Sequence, residues 1–269
     1  FMDKLKDDEV SMNVVDSEVI FKCGKITSGF KLDSNIDHML SHIKALGSPE
    51  KWYKVPEDLL QAIQFCLFSA GTDATRPKLM CLHFKENIVE ATDGYRMTVF
   101  TMDSPLKKEV LVPANTLKAL PQFTVTHYGL TDGWLHFKMD NGAVYSCRVF
   151  HLDYPDLSSF LEVEGPSVKV PSSIADVMER AKIFATAEFD QDRKVSLMIE
   201  GKKMLINGND EHGWIRERVM LETEVEDPIE FKIHPDFLIQ VAKLLDDMVI
   251  GKNKIKLEAS KFKHVICIG

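Results

Sequence analysis

Few residues of this 269-residue sequence have the types and spacing that chemistry needs. Cys81 and His83 stand two apart, which on a strand turns both side chains to one face, as half of a zinc site would require. Without a second pair, such a couple is core packing more often than a metal ligand. Asp246 and Asp247 follow a helical pattern and read as its solvated C-terminal end. The nine histidines are scattered, and none has the partner one turn away that a metalloprotease helix carries. A phosphate-cradling glycine loop and a Gly-x-Ser-x-Gly elbow are both missing. No catalytic residue, metal or cofactor is therefore assigned, and the chain is expected not to be an enzyme.

The most distinctive short segment is residues 91–97, Ala-Thr-Asp-Gly-Tyr-Arg-Met. Asp93 and Gly94 suit a tight turn joining two strands of a hairpin. A turn alone does not account for the tyrosine, arginine and methionine that follow.

The elements that position this segment recur. Lys-Val-Pro-Glu at 54–57 returns as Leu-Val-Pro-Ala at 111–114, Lys-Val-Pro-Ser at 169–172 and, more loosely, Lys-Ile-His-Pro at 232–235. Each is followed by apolar positions at helical spacing. A proline at the first helical position loses no intrahelical bond, so each copy predicts a strand that turns into a helix at Pro56, Pro113, Pro171 or Pro235. An interval of roughly sixty residues marks an internal repeat.

Around these starts, period-two alternation predicts strands at 10–14, 19–23 and 26–32, then at 78–84, 87–91, 95–102, 109–112, 124–128, 134–139 and 143–149. Further strands are predicted near 195–199, 214–221, 255–259 and 264–268. Leu59, Ile63 and Cys66 mark one helical face, Ile174, Val177, Met178 and Ala181 another, and Phe237, Leu238, Val241 and Leu245 the last. Residues 1–6 read as the last turn of a helix. Residues 33–51 are the least patterned and read as a linker with a short helix over 37–46. Strands interleaved with few helices predict an α+β chain of mostly antiparallel sheets with helices to one side.

Composition sets the bounds. A hydrophobic content of 45% supports substantial cores, and no apolar run approaches the ~20 residues that cross a bilayer. No signal-peptide pattern opens the chain, so it is expected to be cytoplasmic, without a membrane partner. Five widely spaced cysteines read as buried free thiols. The net charge of −8 argues against broad adhesion to nucleic acid but leaves room for a local basic lining.

Segment 91–97 resembles the Ala-Thr-Asp-Gly-His-Arg-Leu of the bacterial DNA polymerase III β subunits, the sliding clamps. Asp153, Tyr154, Pro155 and Asp156 are similar to that family's Phe-Pro-Asp-Tyr linker, and the Val-Pro helix starts fit as well. The resemblance implies a DNA clamp fold of repeated pseudo-symmetric domains, with antiparallel sheets outside and paired helices lining a ring. It divides the chain into the second half of one clamp domain with its linker (1–46), a second domain (47–164) and a third (165–269). About sixty to eighty further residues are expected upstream of Phe1. The implied function is a processivity factor that encircles duplex DNA as a head-to-tail homodimer and tethers the replicative polymerase. The alternative is a clamp-fold scaffold that binds proteins without encircling DNA.

Carried over by position, the groove that takes short hydrophobic peptides from the polymerase and clamp loader would be walled by Leu79, Thr92, Gly94, Tyr95, Arg96, Met97, Val265 and Cys267. Arg76, Lys118, Arg180, Lys182 and Lys243 would face DNA. The sequence departs from the family at Tyr95, which replaces histidine, and at Glu162, where proline is usual. Ala114 and Asn115 stand where basic residues are common, and the chain ends at Gly269 without the usual basic-apolar tail.

Overall fold

The computed structural model describes residues 4–5, 9–33, 36–189, 192–244 and 247–269. The helical turn expected over 1–6 therefore falls almost wholly outside the described residues, as do Leu245 and Asp246. The chain forms two compact units, 1–49 and 50–269.

The first unit is a three-stranded antiparallel sheet, β1 (Ser11–Val15), β2 (Glu18–Cys23) and β3 (Ile26–Lys31), followed by α1 (Ile36–Ala45). The three predicted strands and the short helix are all present. Phe21 and Phe30 meet edge to face at 5.6 Å across β2 and β3. Met12 and Val14 on β1 are more than half exposed.

The second unit opens with β4 (Trp52–Lys54), α2 (Leu59–Leu67), β5 (Cys81–Lys85), β6 (Ile88–Thr92) and β7 (Arg96–Thr101). It continues through β8 (Val110–Pro113), α3 (Ala114–Leu117), β9 (Val125–Thr131), β10 (Trp134–Met139) and β11 (Val144–Arg148). After a connection come β12 (Ser167–Lys169), α4 (Ile174–Ala181), β13 (Val195–Asp210), β14 (Gly213–Ile233) and α5 (Pro235–Val241), then β15 (Asp247–Ile250), β16 (Lys254–Glu258) and β17 (Phe262–Cys267).

These strands make a four-stranded sheet β11-β10-β9-β4, an eight-stranded sheet β12-β15-β16-β17-β7-β6-β5-β8, and the ribbon β13-β14. The eight-stranded sheet runs across residues far apart in sequence because β17 pairs antiparallel with β7, from Phe262 opposite Phe100 to Ile266 opposite Arg96. Helix α2 buries Leu59, Ala62, Ile63 and Cys66 against β5, β6 and β7 and leaves Gln61 and Gln64 in solvent. Each such fully buried aliphatic side chain contributes about 1.5–3 kcal/mol. Helix α2 touches α3, and α4 touches α5. The expected α+β chain of mostly antiparallel sheets with paired helices is thus the observed one.

Several local expectations are corrected. Only Pro235 occupies the first helical turn of its helix, and Pro113 caps α3. Pro56 and Pro171 stand earlier, where their carbonyls accept from Leu59 N (3.1 Å) and Ile174 N (2.9 Å) to close an opening turn. Residues 77–80 form a 3₁₀ turn and delay the predicted strand to Cys81. Asp247 begins a strand and its carboxylate accepts from Lys169 Nζ at 2.8 Å, so it is no helix end. None of the five cysteines is in a disulfide; four are buried and Cys267 is half-buried.

Candidate partner-binding cleft

The turn between β6 and β7 is built by its own side chains. Asp93 Oδ1 accepts from Tyr95 N (2.9 Å) and Arg96 N (3.0 Å), while Thr92 Oγ1 accepts from Gly94 N (3.1 Å) and donates to Arg96 O (2.6 Å). Gly94 has φ +94°, which favours glycine, and a Cβ there would lie 3.3 Å from an Arg76 guanidinium nitrogen. The conformation requires glycine, and a Cβ would also crowd the Arg76 side chain.

Arg96 leaves this turn toward the helices. Its Nε donates to Asp93 Oδ2 at 2.9 Å, its Nη1 donates to Gln240 Oε1, and its guanidinium lies 4.1 Å over the Phe237 ring and 5.7 Å from Phe68. Burial pulls its pKa below the ordinary arginine value and Asp93 opposes the shift. An arginine remains a cation under such conditions, so the stacking is cation–π in kind.

A second wall comes from the loop after α2. Asp73 accepts from Thr75 N (2.9 Å) and Thr75 Oγ1 (2.7 Å) and binds Arg76 Nε at 3.0 Å. These bonds, led by that to the Thr75 hydroxyl, hold the Asp73 pKa below its usual value. Gly71 N donates to Leu79 O at 2.7 Å and folds the loop back. A third wall is the start of α5, where His234 and Phe237 stack at 4.3 Å. Together with Tyr95 and Phe189, these walls enclose an open cleft of about 390 Å³. That is within the range of roughly 300–1,000 Å³ usual for ligand sites.

The eight residues proposed for the groove do not form one wall. Leu79, Tyr95 and Arg96 line the cleft, and Thr92 and Gly94 build the turn beside it. Met97 and Val265 have no exposed surface and pair with each other across β7 and β17, on the face opposite Arg96, so they do not line this cleft. Cys267 is half-buried at the end of β17, where its N–H donates to Tyr95 O at 2.8 Å. Burial pushes its thiol pKa up, which keeps it unreactive. Phe237, His234 and Phe189 were not identified from the sequence as wall residues. Phe237 satisfied a helical apolar pattern and was read as core.

The proposed DNA-facing residues also separate. Arg76 belongs to the cleft. Arg180 binds Glu217 through two contacts of 2.9 and 2.6 Å, and Lys182 binds Glu179 (2.6 Å) and Asp236 (3.1 Å). Lys118 and Lys243 are exposed.

Nearby polar groups serve structure. Asp58 is buried and accepts from Asp103 N (3.0 Å) and Lys261 Nζ (2.9 Å), tying α2 to the β16–β17 turn. His83 meets Glu90 and Glu109, and burial raises the Cys81 thiol pKa to about 11, so this couple is packing rather than half a metal site. Among the described residues no group of three or more His, Cys, Asp or Glu is placed to hold a metal, and no helix is long and apolar enough to cross a membrane.

This arrangement is the fold of the DNA sliding clamps. The chain superposes on the Bacillus subtilis DNA polymerase sliding clamp with a TM-score of 0.82 and 19% identity, covering 99% of this chain and 76% of that one. It matches the β subunit of the Streptococcus pyogenes DNA polymerase with a TM-score of 0.81 and 19% identity, over 100% and 78% of the two chains. The DNA polymerase III β subunit of Pseudomonas aeruginosa gives 0.76 and 14%, over 97% and 76%. No family model matches the sequence, and no curated protein matches it.

Proposed function

We propose that this chain is a subunit of a DNA sliding clamp, a ring that holds a polymerase on its template by topology rather than by tight binding. The observation that carries this reading is the eight-stranded sheet continued through the β7–β17 pairing, with α2 and α5 packed on one face, in a chain that superposes on known clamps over nearly its whole length. On this reading residues 1–46, 47–164 and 165–269 belong to three clamp domains. Subunits join head to tail through sheet edges, and the ring closes edges that would otherwise be open to aggregation. A closed ring needs only weak, hydrated contacts with phosphates. That is compatible with a net charge of −8.

The cleft between Tyr95, Arg76, Leu79 and Phe237 is the proposed seat for a short apolar peptide of the polymerase or clamp loader. Aromatic walls would bury its side chains, and Arg76 and Arg96 would fix its backbone. A second reading, a clamp-fold scaffold that binds proteins but not DNA, is favoured by the carboxylates that already engage Arg180 and Lys182.

The two readings part on DNA topology. Protein assembled on nicked circular DNA is isolated by gel filtration, and the DNA is then cut once. A ring stays on the circle and is lost after linearisation. A protein that never associates with the circle, yet binds the peptide, is the scaffold.

A further inference from the structure

The connection between β11 and β12 crosses the face of the eight-stranded sheet opposite α2 and α5. Its Tyr154 ring lies on His83 with centroids 4.5 Å apart. Further along, Lys254 Nζ on β16 donates to Ser159 O (3.2 Å) and Phe160 O (2.9 Å), and the 3₁₀ turn Ser158–Leu161 lies against β17. Strand alternation places His83, Glu90, Thr92, Met97 and Val265 on this same outer face, since each is directly paired with the next strand's member of the set. Met97 and Val265 are inaccessible here.

His83 is the seat of this contact. Its Nδ1 lies 2.8 Å from Glu90 Oε1 and its Nε2 lies 2.9 Å from Glu109 Oε1, with the ring nearly buried. Only an imidazolium has a hydrogen for each nitrogen; a neutral ring must turn one lone pair toward a carboxylate. The other titratable groups facing this site are Cys81 on the same strand, Lys108 beside Glu109, Asp132 in the β9–β10 turn, and His151 and Asp153 on the connection itself. A cavity of about 740 Å³ beside His83 gives water access to the cluster. The Tyr154 hydroxyl is buried without a hydrogen bond.

We propose that this connection is a proton-dependent strap: the His83 imidazolium, clamped between Glu90 and Glu109, seats Tyr154, and loss of its proton loosens the strap and uncovers Met97 and Val265. Burial opposes charge on His83, but the two carboxylates outweigh it and raise its pKa above the ordinary histidine value. The strap is therefore held at low pH and released as pH rises through that raised value. The occupant of the outer face is thus a segment of this chain, and its hold weakens above the usual histidine range.

The test is an NMR titration of the full chain that follows the His83 ring, the Tyr154 ring and the amides of residues 155–161. The expected result is one shared midpoint above the ordinary histidine value, accompanied by loss of protection over 155–161. In Glu109→Gln that midpoint shifts to lower pH, and in His83→Gln the strap signals no longer follow pH. Strap signals that stay flat while His83 titrates would overturn the proposal. So would an unchanged pH response in His83→Gln, which would assign the effect to another group such as His151.

Discussion

The two faces of the β7–β17 pairing share a backbone but are built from opposite materials. On the helix side, Arg96 is held by Asp93, Gln240 and two aromatic rings, and His264 is buried between Phe68 and Phe262 with Nδ1 on Thr98 Oγ1 at 2.9 Å. On the outer side, Met97 and Val265 form an apolar strip with His83 and its carboxylates at the margin. At the Arg96 end the helix side is polar and opens into a cleft, while Met97 and Val265 on the other side are dry and covered. The difference arises from period two alone, because Arg96 and Met97 are consecutive and must point apart.

The sharpest way to break this comparison is to charge the dry face. Met97→Asp should destabilise the chain by about 3–5 kcal/mol, since the carboxylate has no partner there. Tyr95→Ala, on the exposed rim of the cleft, should change stability by no more than about 0.5–1 kcal/mol. Urea denaturation of both variants measures the gap, and equal losses would erase the distinction between the faces.

Arg96→Met comes next. It leaves Asp93 Oδ2 without its partner and removes the cation from Phe237, at a cost of about 2–3 kcal/mol. The double variant with Asp93→Asn should recover part of that loss in a double-mutant cycle. A purely additive cycle would deny the pair its structural role.

The two buried histidines should differ in the sign of their pH dependence. Burial, and next the nearby Arg96 charge, lower the His264 pKa to about 3. Its contribution is present above its unfolded value near 6.5 and is lost as pH falls from there toward 3. The raised His83 contributes below its unfolded value and is lost as pH rises through its folded one. Denaturation curves from pH 5 to 9 on His264→Gln and His83→Gln should therefore flatten opposite limbs. Identical curves for the two variants would contradict the assignment.

The smallest expected effect concerns the exposed helix cations. Replacing Lys118 or Lys243 by alanine should lower the salt slope of DNA association by about one unit each, and Arg180→Ala by less because Glu217 already occupies that side chain.

Much of the architecture was legible in the sequence because alternation and helical spacing are strong where one face is buried. Residues 195–199 and 214–221 announced their strands. The remainder of β14 did not, since Glu222, Glu224, Glu226, Asp227, Pro228 and Glu230 dominate residues 222–230 and mask the buried face that Val225 and Ile229 continue. The turn at Asp93 and Gly94 was equally clear, because positive φ and an acceptor side chain leave a local signature. The cleft was only half legible. Position in sequence gathered Thr92 through Met97 as if they were one wall, whereas the strand distributes them between faces. Phe237 was hidden because an aromatic residue one turn into a helix reads as core whether or not a groove opens beside it. Arg76 illustrates the converse: a loop cation with no periodic context has no direction until the fold gives it Asp73 and Gly94 as neighbours.

The central claim about the site is that partner peptides enter on the helix side of β7, at the cleft. A labelled peptide of the Gln-Leu-x-Leu-Phe type is titrated by fluorescence anisotropy against the wild-type chain, Tyr95→Ala, Phe237→Ala and Lys263→Ala, the last on the outer face, with circular dichroism confirming that each variant is folded. Binding weakened at least tenfold by Tyr95→Ala and by Phe237→Ala, about 1.4 kcal/mol, and untouched by Lys263→Ala, is the predicted result. Unchanged affinity in both cleft variants would contradict it.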